Sequence, residues 1–283
     1  ILGDLYAMPA GGGRATALSN GLPFDTQPTV SPDGRHVLFV SDRSGADNLW
    51  IADLDGRNSR QISFGDDDTV LASPAWAADG KAIFVSRYRP DLNNYELWRY
   101  GLDGQGKLIV PIRDTAASPH GSWRSSLGAA PSRDGRYLYF AQHVGGLAFE
   151  DLDDWSIMRR DLATGEDETI VTERDARRQA NHPISAFRPM PSPDGRLLAY
   201  ARHTSGQTEL RLLDLATGID RRLAFPIEHD QLQSSMWQDI LPRYAFTPDG
   251  QAILISVRGE MRRIAIADGT AAPIAFNAAV DLA

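Results

Sequence analysis

The sequence predicts an all-β fold, a β-propeller of about six four-stranded antiparallel blades, and three observations carry that prediction. The turn Ser31-Pro32-Asp33-Gly34-Arg35 recurs intact at Ser192-Pro193-Asp194-Gly195-Arg196 and in altered form at Ala77-Ala78-Asp79-Gly80-Lys81, Ser132-Arg133-Asp134-Gly135-Arg136 and Thr247-Pro248-Asp249-Gly250-Gln251. Every copy leads into a short apolar run, and every run is followed by two more strand patterns joined by polar turns. The turn glycines are spaced by 46, 55, 60 and 55 residues, at and beyond the upper end of the roughly 20 to 50 residue periods of solenoids and propellers.

Taken in chain order, Asp4-Leu5-Tyr6-Ala7-Met8-Pro9, Gly11-Gly12-Gly13 and Ala15-Thr16-Ala17-Leu18 match the last two strands of a blade whose first two are missing. Each complete unit then opens with a short strand such as Pro74-Ala75-Trp76 or Tyr244-Ala245-Phe246 before its Asp-Gly turn. Glycine supplies the positive φ of a tight hairpin, Asp bonds the backbone ahead of it, and Pro pre-sets φ at the entry. These turn residues therefore read as structural. The second strands are His36-Val37-Leu38-Phe39-Val40, Ala82-Ile83-Phe84-Val85, Tyr137-Leu138-Tyr139-Phe140, Leu197-Leu198-Ala199-Tyr200 and Ala252-Ile253-Leu254-Ile255, short apolar runs bounded by turn signals. Third strands such as Asn48-Leu49-Trp50-Ile51-Ala52 and Glu209-Leu210-Arg211-Leu212-Leu213 follow. Fourth strands, such as Arg60-Gln61-Ile62-Ser63, close each unit after Asp55-Gly56, Asp103-Gly104, Thr164-Gly165, Thr217-Gly218 or Asp268-Gly269. Four strands per repeat is a propeller blade.

The expected organisation is one propeller domain over residues 1–283, with a partial blade at 1–18 and blades at 28–63, 74–112, 129–171, 189–225 and 243–276. Pro273-Ile274-Ala275-Phe276 is expected to complete the fifth unit, and Ala278 onward to lead into one more strand. Either the ring closes with about six blades, mixing strands from both ends, or these residues belong to a larger propeller.

Acidic residues outnumber basic ones, 37 to 29, for a net charge of −8, and there is no Lys/Arg block. That argues against a nucleic-acid groove or an anionic-membrane patch. Without cysteine there is neither a disulfide framework nor a thiolate metal site. The longest apolar runs are strand-sized, far short of the roughly 18 residues of a membrane span.

Ser31-Pro32-Asp33-Gly34-Arg35 with Phe39-Val40-Ser41-Asp42-Arg43-Ser44-Gly45 and Asn48-Leu49-Trp50 resembles the repeats of the TolB-like (PD40) propeller family, and the resemblance covers all five blades. A narrower likeness lies in Asp4-Leu5-Tyr6 with its triple glycine, Arg188-Pro189-Met190-Pro191-Ser192-Pro193-Asp194-Gly195, and Asp239-Ile240-Leu241-Pro242-Arg243-Tyr244. These phrases resemble the N-terminal propeller of exported proteins that carry an amidohydrolase barrel, whose hydrolytic metal ligands begin with a His-x-His pair. This chain has no His-x-His. The resemblance implies a bacterial periplasmic or exported location. It also implies a protein partner, or the chain's own catalytic domain, as the surface contacted. Prolyl-oligopeptidase-like propellers share the Ser-Pro-Asp-Gly habit, although the second-half phrases fit them less well.

The six histidines are scattered, so a helical His-Glu-x-x-His zinc site is excluded. Neither a Gly-x-Ser-x-Gly elbow nor a phosphate loop occurs. No catalytic residue is assigned, and no cofactor is expected. Asp66-Asp67-Asp68 and Glu150-Asp151 with Asp153-Asp154 offer hard oxygens that suit calcium, but without the EF-hand spacing they read first as solvated loop charge.

Recognition is expected on the long connections between blades. These carry His120 with Trp123 and Arg124, His182 with Arg188, and His229 with Trp237, a set of amphipathic rings and guanidinium groups of the kind that binding surfaces favour. The competing reading is that Trp123 and Trp237 fill gaps between blades, while Trp50, Trp76, Trp98 and Trp155 belong to the core. The expected function is a non-catalytic binding or docking module, the accessory domain of an amidohydrolase-type hydrolase. The alternatives are a free-standing TolB-like envelope protein and a propeller enzyme with a channel calcium.

Overall fold

The hydroxyl and carboxylate of the repeated turn lock each hairpin before any long-range packing is made. In the first copy Ser31 Oγ donates to Asp33 Oδ1 (2.6 Å) and accepts from the backbone N–H of His36 (2.9 Å), while Asp33 Oδ1 accepts from the N–H of Arg35 (3.1 Å). The arrangement recurs at Ser132/Asp134, Ser192/Asp194 and Thr247/Asp249. In all four the hydroxyl hydrogen bond is the chief reason that the Asp carboxyl sits below its ordinary pKa.

A computed structural model describes residues 3–65, 68, 70–145, 155–172, 184–204, 207–229 and 243–280. The chain opens with β1 (Tyr6–Ala7) and β2 (Gly13–Ala17). Blade 1 is β3 (Asp25–Val30), β4 (His36–Ser41), β5 (Asn48–Asp53) and β6 (Arg60–Gln61). Blade 2 is β7 (Leu71–Trp76), β8 (Ala82–Arg89), β9 (Asn94–Gly101) and β10 (Gly106–Val110). Blade 3 is β11 (Arg124–Pro131), β12 (Tyr137–Val144), β13 (Ser156–Asp161) and β14 (Asp167–Val171). Blade 4 is β15 (Ile184–Pro191), β16 (Leu197–Thr204), β17 (Gln207–Asp214) and β18 (Asp220–His229). Blade 5 is β19 (Tyr244–Phe246), β20 (Ala252–Val257), β21 (Glu260–Ala265) and β22 (Ala271–Pro273), and β23 (Phe276–Ala278) follows it.

Each of the five blades is a four-stranded antiparallel meander in sequence order, as expected. The first strands of blades 1 to 4 touch in turn, which places them innermost. They carry a shared irregularity. Their pairing slips between Thr26 and Thr29, Ala72 and Ala75, Leu127 and Ala130, and Phe187 and Met190. At each slip one residue, Gln27, Ser73, Gly128 or Arg188, has φ between 52° and 78°. This β-bulge accommodates the prolines Pro28, Pro74 and Pro189, which lack a ladder donor. The sequence reading starts the strand at the proline. The structure starts it three residues earlier at Asp25 and Leu71, and five earlier at Ile184, because the bulge lets pairing continue past the break.

The sixth sheet contains β1, β2 and β23 in that order, with β23 parallel to β2 (Gly13 opposite Phe276). Phe276 therefore belongs to this sheet and does not complete blade 5, whose outer strand ends at Pro273. The close approach of Gly12 to the Ala275 carbonyl, and the bond from Gly13 N–H to that oxygen (2.9 Å), hold the crossing in place.

The core lies between blades. In the second strands, alternate side chains face forward or backward: Leu38 and Val40 of blade 1 meet Ile83 and Val85 of blade 2, and Phe84 of blade 2 meets Leu138 and Phe140 of blade 3. Blades 3, 4 and 5 share one continuous cluster through Tyr139, Ala141, Leu198, Tyr200, Ile253 and Ile255. Trp76 and Trp155 are buried, whereas Trp50 and Trp98 are half-buried beneath the guanidinium groups of Arg43 and Arg87. Among the described residues no helix is long and apolar enough to cross a membrane.

Candidate functional site

The meander makes the two rims of the ring unequal. One rim carries the Asp-Gly turns, five residues each, and the short turns between third and fourth strands. The other carries the connections into the innermost strands, among them seven residues (18–24) into blade 1 and thirteen (111–123) into blade 3. A rigid scaffold displaying its variable segments on one side is the usual place for recognition.

On this rim the connection into blade 3 folds around Trp123. A single 3-10 turn, His120–Ser122, precedes it, and the indole Nε1 donates to the Ser118 carbonyl (3.0 Å). The exposed His120 ring lies 4.0 Å from the indole ring, and the Arg113 guanidinium sits 5.3 Å from its centroid. Trp123 itself is only 6 % exposed. It organises the loop from beneath and leaves His120 and the cationic groups at the surface. Arg124 begins β11, donates from Nε to the Pro111 carbonyl (3.4 Å) and pairs with the exposed Asp114.

Arg188 occupies a different layer, the bulge of innermost strand β15, with φ 52°. Its carbonyl accepts the Tyr244 hydroxyl from blade 5. A Cβ built on Gly128, the equivalent bulge residue of blade 3, would stand 3.8 Å from the Arg188 Cα, so the bulges of adjacent blades abut around the centre. The structure thus brings His120, Trp123 and Arg124 together and sets Arg188 inward of them. His182, Trp237 and the side chain of His229 lie outside the described residues.

Several rim groups gave no signal as site residues in the sequence. Arg43 makes a bidentate pair with the buried Asp25 carboxylate (2.7 Å to each oxygen), bonds Ser41 Oγ (2.9 Å), and covers the rings of Phe39 and Trp50. Asn48 ties Ser44, Ser63 and Gly65 together. Buried Glu96 accepts from Trp98 Nε1 (2.8 Å) and faces Arg89 (3.8 Å), and buried Glu209 is surrounded by Arg202, Arg211 and Arg222. For Glu96 and Glu209 the trace was faint, a carboxylate within a strand pattern at Tyr95-Glu96-Leu97 and Thr208-Glu209-Leu210. Asp47, which precedes Asn48, has its carboxyl pushed above the ordinary range by burial, opposed by the Leu71 N–H and reinforced by Asp42.

Among the described residues no three His, Cys, Asp or Glu side chains converge to hold a metal. Asp68 is described and exposed. Asp66, Asp67, Glu150, Asp151, Asp153 and Asp154, the other calcium candidates, lie outside the described residues. What the rim offers is a mixed-charge, hydrogen-bonding surface edged by an imidazole and guanidinium groups.

A family profile described as the TolB beta propeller domain (PD40) matches residues 2–122. Over those residues the propeller is similar to the TolB β-propeller domain. Compared as a whole with single proteins, the chain is 43 % identical over 58 residues to the Tol-Pal system protein TolB of Bordetella pertussis, covering 19 % of this chain and 13 % of that protein. Over 123 residues it is 30 % identical to Tricorn protease homolog 1 of Streptomyces coelicolor, covering 41 % of this chain and 11 % of that protein. The chain thus spans a small part of either relative. In fold it resembles the crystal structure of TolB from Acinetobacter baumannii, with a TM-score of 0.65 and 18 % identity over 91 % of this chain and 56 % of that one.

Proposed function

We propose that this propeller is a binding module that holds a polypeptide partner on the rim of long connections and performs no bond cleavage itself. The observation that carries the reading is the one-sided distribution of chemistry. The Asp-Gly rim is built of self-satisfied turns, and the opposite rim presents His120, Arg124 and Arg43 on a buried polar scaffold. Such groups recognise carboxylates and peptide carbonyls through charge-assisted hydrogen bonds.

In the finer reading, the partner surface belongs to a hydrolytic domain of amidohydrolase type, and the propeller positions or screens what reaches it. The phrases around Arg188-Pro189-Met190 and Asp239-Ile240-Leu241-Pro242 support this, as does the likeness to a relative named as a protease. The TolB match supports a second reading, a module of the bacterial cell envelope whose partner is another envelope protein.

A peptide array probed with the intact chain tests the shared part of both readings. Binding to a defined set of peptides is expected, with affinity falling about tenfold or more in His120→Ala and Arg124→Ala, since removal of one partner from a charge-assisted bond costs on the order of 1.5 to 3 kcal/mol. Arg35→Ala and Arg196→Ala, on the Asp-Gly rim, are expected to change nothing. Loss of binding in the Asp-Gly rim variants with retention in the other two would reverse the assignment.

A further inference from the structure

The connection from β2 into blade 1 holds the sole Asn-Gly pair of the sequence, Asn20-Gly21. Its two ends are tied down. The Leu18 N–H donates to the Leu5 carbonyl (2.8 Å) and Ser19 Oγ accepts from the Leu5 N–H (3.0 Å), while the Phe24 N–H donates to Asp42 Oδ1 (2.8 Å) and the Asp25 N–H to the Gly3 carbonyl (2.7 Å). Between those anchors Asn20, Gly21 and Leu22 are all exposed, and among the described residues neither the Asn20 side chain nor the Gly21 N–H has a hydrogen-bond partner. Gly21 has φ +110°, and the nearest atom to the place of its missing Cβ is Pro23 Cδ at 3.6 Å, so no side chain of its own screens the nitrogen that follows Asn20. The other described asparagines are held. Asn48 is fully buried and bonds Ser44, Ser63 and Gly65, Asn58 Nδ2 donates to Asp53 Oδ2 (2.7 Å), Asn93 Oδ1 accepts from the Tyr88 hydroxyl, and Asn94 Nδ2 donates to the Leu92 carbonyl (2.9 Å). Asn277 is exposed, but it lies in strand β23 and Ala278 follows it.

We infer that Asn20-Gly21 is a self-modification site, at which the side-chain amide is converted to a carboxylate without an enzyme. The Gly21 backbone nitrogen attacks Cγ of Asn20 and forms the N–Cγ bond. The Cγ–Nδ2 bond breaks, and ammonia leaves with the proton that the Gly21 nitrogen gives up. Water then opens the five-membered imide. Opening at Cγ gives aspartate, and opening at the Asn20 backbone carbonyl gives isoaspartate, in which the main chain runs through the former side chain. The net exchange replaces an NH₂ group by a hydroxyl that ionises, with water as the co-reactant. Either product places a new negative charge on the wall that Asn20 shares with Ser59 and Arg43 in one cleft. Arg43 is the group that bonds Ser59 Oγ (3.1 Å) and grips the buried Asp25 at the start of blade 1, so the charge arises beside a guanidinium that fixes the innermost strand. Isoaspartate also adds one carbon to a segment whose ends are fixed, and so re-aims the fully exposed Leu22. The site stands without the binding reading of the rim.

The test incubates the full folded chain at neutral and at mildly alkaline pH and follows every asparagine by peptide mapping with mass spectrometry, alongside the same chain unfolded in urea. Acid formation at Asn20 is expected to run at least about tenfold faster than at Asn58 or Asn277, the equivalent of about 1.4 kcal/mol off the barrier. Aspartate and isoaspartate are expected as two separable products, formed faster at the higher pH, where the attacking nitrogen gives up its proton more readily. Asn20→Gln is expected to lose the reaction, because attack there closes a larger ring, while Asn58→Gln leaves the rate at Asn20 unchanged. An Asn20 amide that persists in the folded chain while the urea-unfolded chain converts would overturn the proposal. Conversion at Asn58 or Asn277 at the same rate would do so too, and aspartate as the single product would replace the imide step by direct hydrolysis and sink it.

Discussion

Two kinds of aspartate in this chain respond to pH in opposite senses. The turn carboxylates Asp33, Asp134, Asp194 and Asp249 are depressed, chiefly by the hydroxyl two residues earlier. A depressed folded pKa contributes stability that is present above the unfolded value and lost as pH falls through the folded one. All four are solvent-facing, so screening keeps each contribution small. Asp47 is raised by burial, so its charge opposes folding above its folded pKa, and protonation relieves that cost. Asp47→Asn keeps an acceptor for the Leu71 N–H and removes the desolvated charge. The variant is therefore expected to melt higher than the parent at pH 7, with the difference closing as pH falls toward 4. Melting curves by circular dichroism across that range check it, and a difference that stays constant with pH would remove burial of the charge as its cause. The second repeat shows what the turn loses without its hydroxyl: Ala77 leaves Asp79 with the Lys81 N–H (2.9 Å) and no side-chain donor of the kind Ser31 supplies.

At the scale of the element, the two glycine-bearing turns of a blade do different work. In the Asp-Gly turn before the second strand, Gly34 has φ +70° and open space around its missing Cβ. In the turn before the fourth strand, Gly56 has φ +81°, and a Cβ there would stand 2.0 Å from the Leu18 carbonyl oxygen of the preceding sheet. Gly104 and Gly269 approach the Ile62 and Leu223 carbonyls in the same way. Gly34→Ala is therefore expected to cost only left-handed backbone strain, on the order of 1 kcal/mol. Gly56→Ala adds a collision with backbone that cannot rotate away, and is expected to cost at least twice as much by urea denaturation. Equal midpoints would show that the blades separate freely at this contact. The sequence announced both turns, since Asp-Gly and Thr-Gly pairs sit between alternating apolar runs, but it could not show that one class also sets blade spacing. The bulge was likewise hidden: Pro28 and Pro74 read as strand starts, although Gln27 carries the chain past the break and clips blade 2 by bonding the Leu71 carbonyl (3.1 Å) and the Ser73 N–H (2.6 Å). Of the proposed site, the cluster of His120, Trp123 and Arg124 was legible because aromatic and cationic residues crowd one connection. The Arg43 and Asp25 pair was not, because the two are 18 residues apart and meet only when the first hairpin closes.

Across the whole molecule, stability in a ring of repeats is the sum of each blade's own pairing and the interfaces with its two neighbours. Blades 2 and 3 have both faces covered by complete blades, so opening either one exposes two apolar interfaces. Blade 5 is backed by Ala199, Ala201 and Leu210 of blade 4, but on its forward face Leu254 is half-buried and Ser256 exposed. Local opening therefore has a graded free energy around the ring, lowest at blade 5. Hydrogen exchange read by mass spectrometry is expected to show β19 to β22 and the β1–β2 pair exchanging well before β7 to β10, although each blade has the same hydrogen-bonded meander. Uniform protection around the ring would mean that the interfaces contribute little and that pairing within each blade alone holds it.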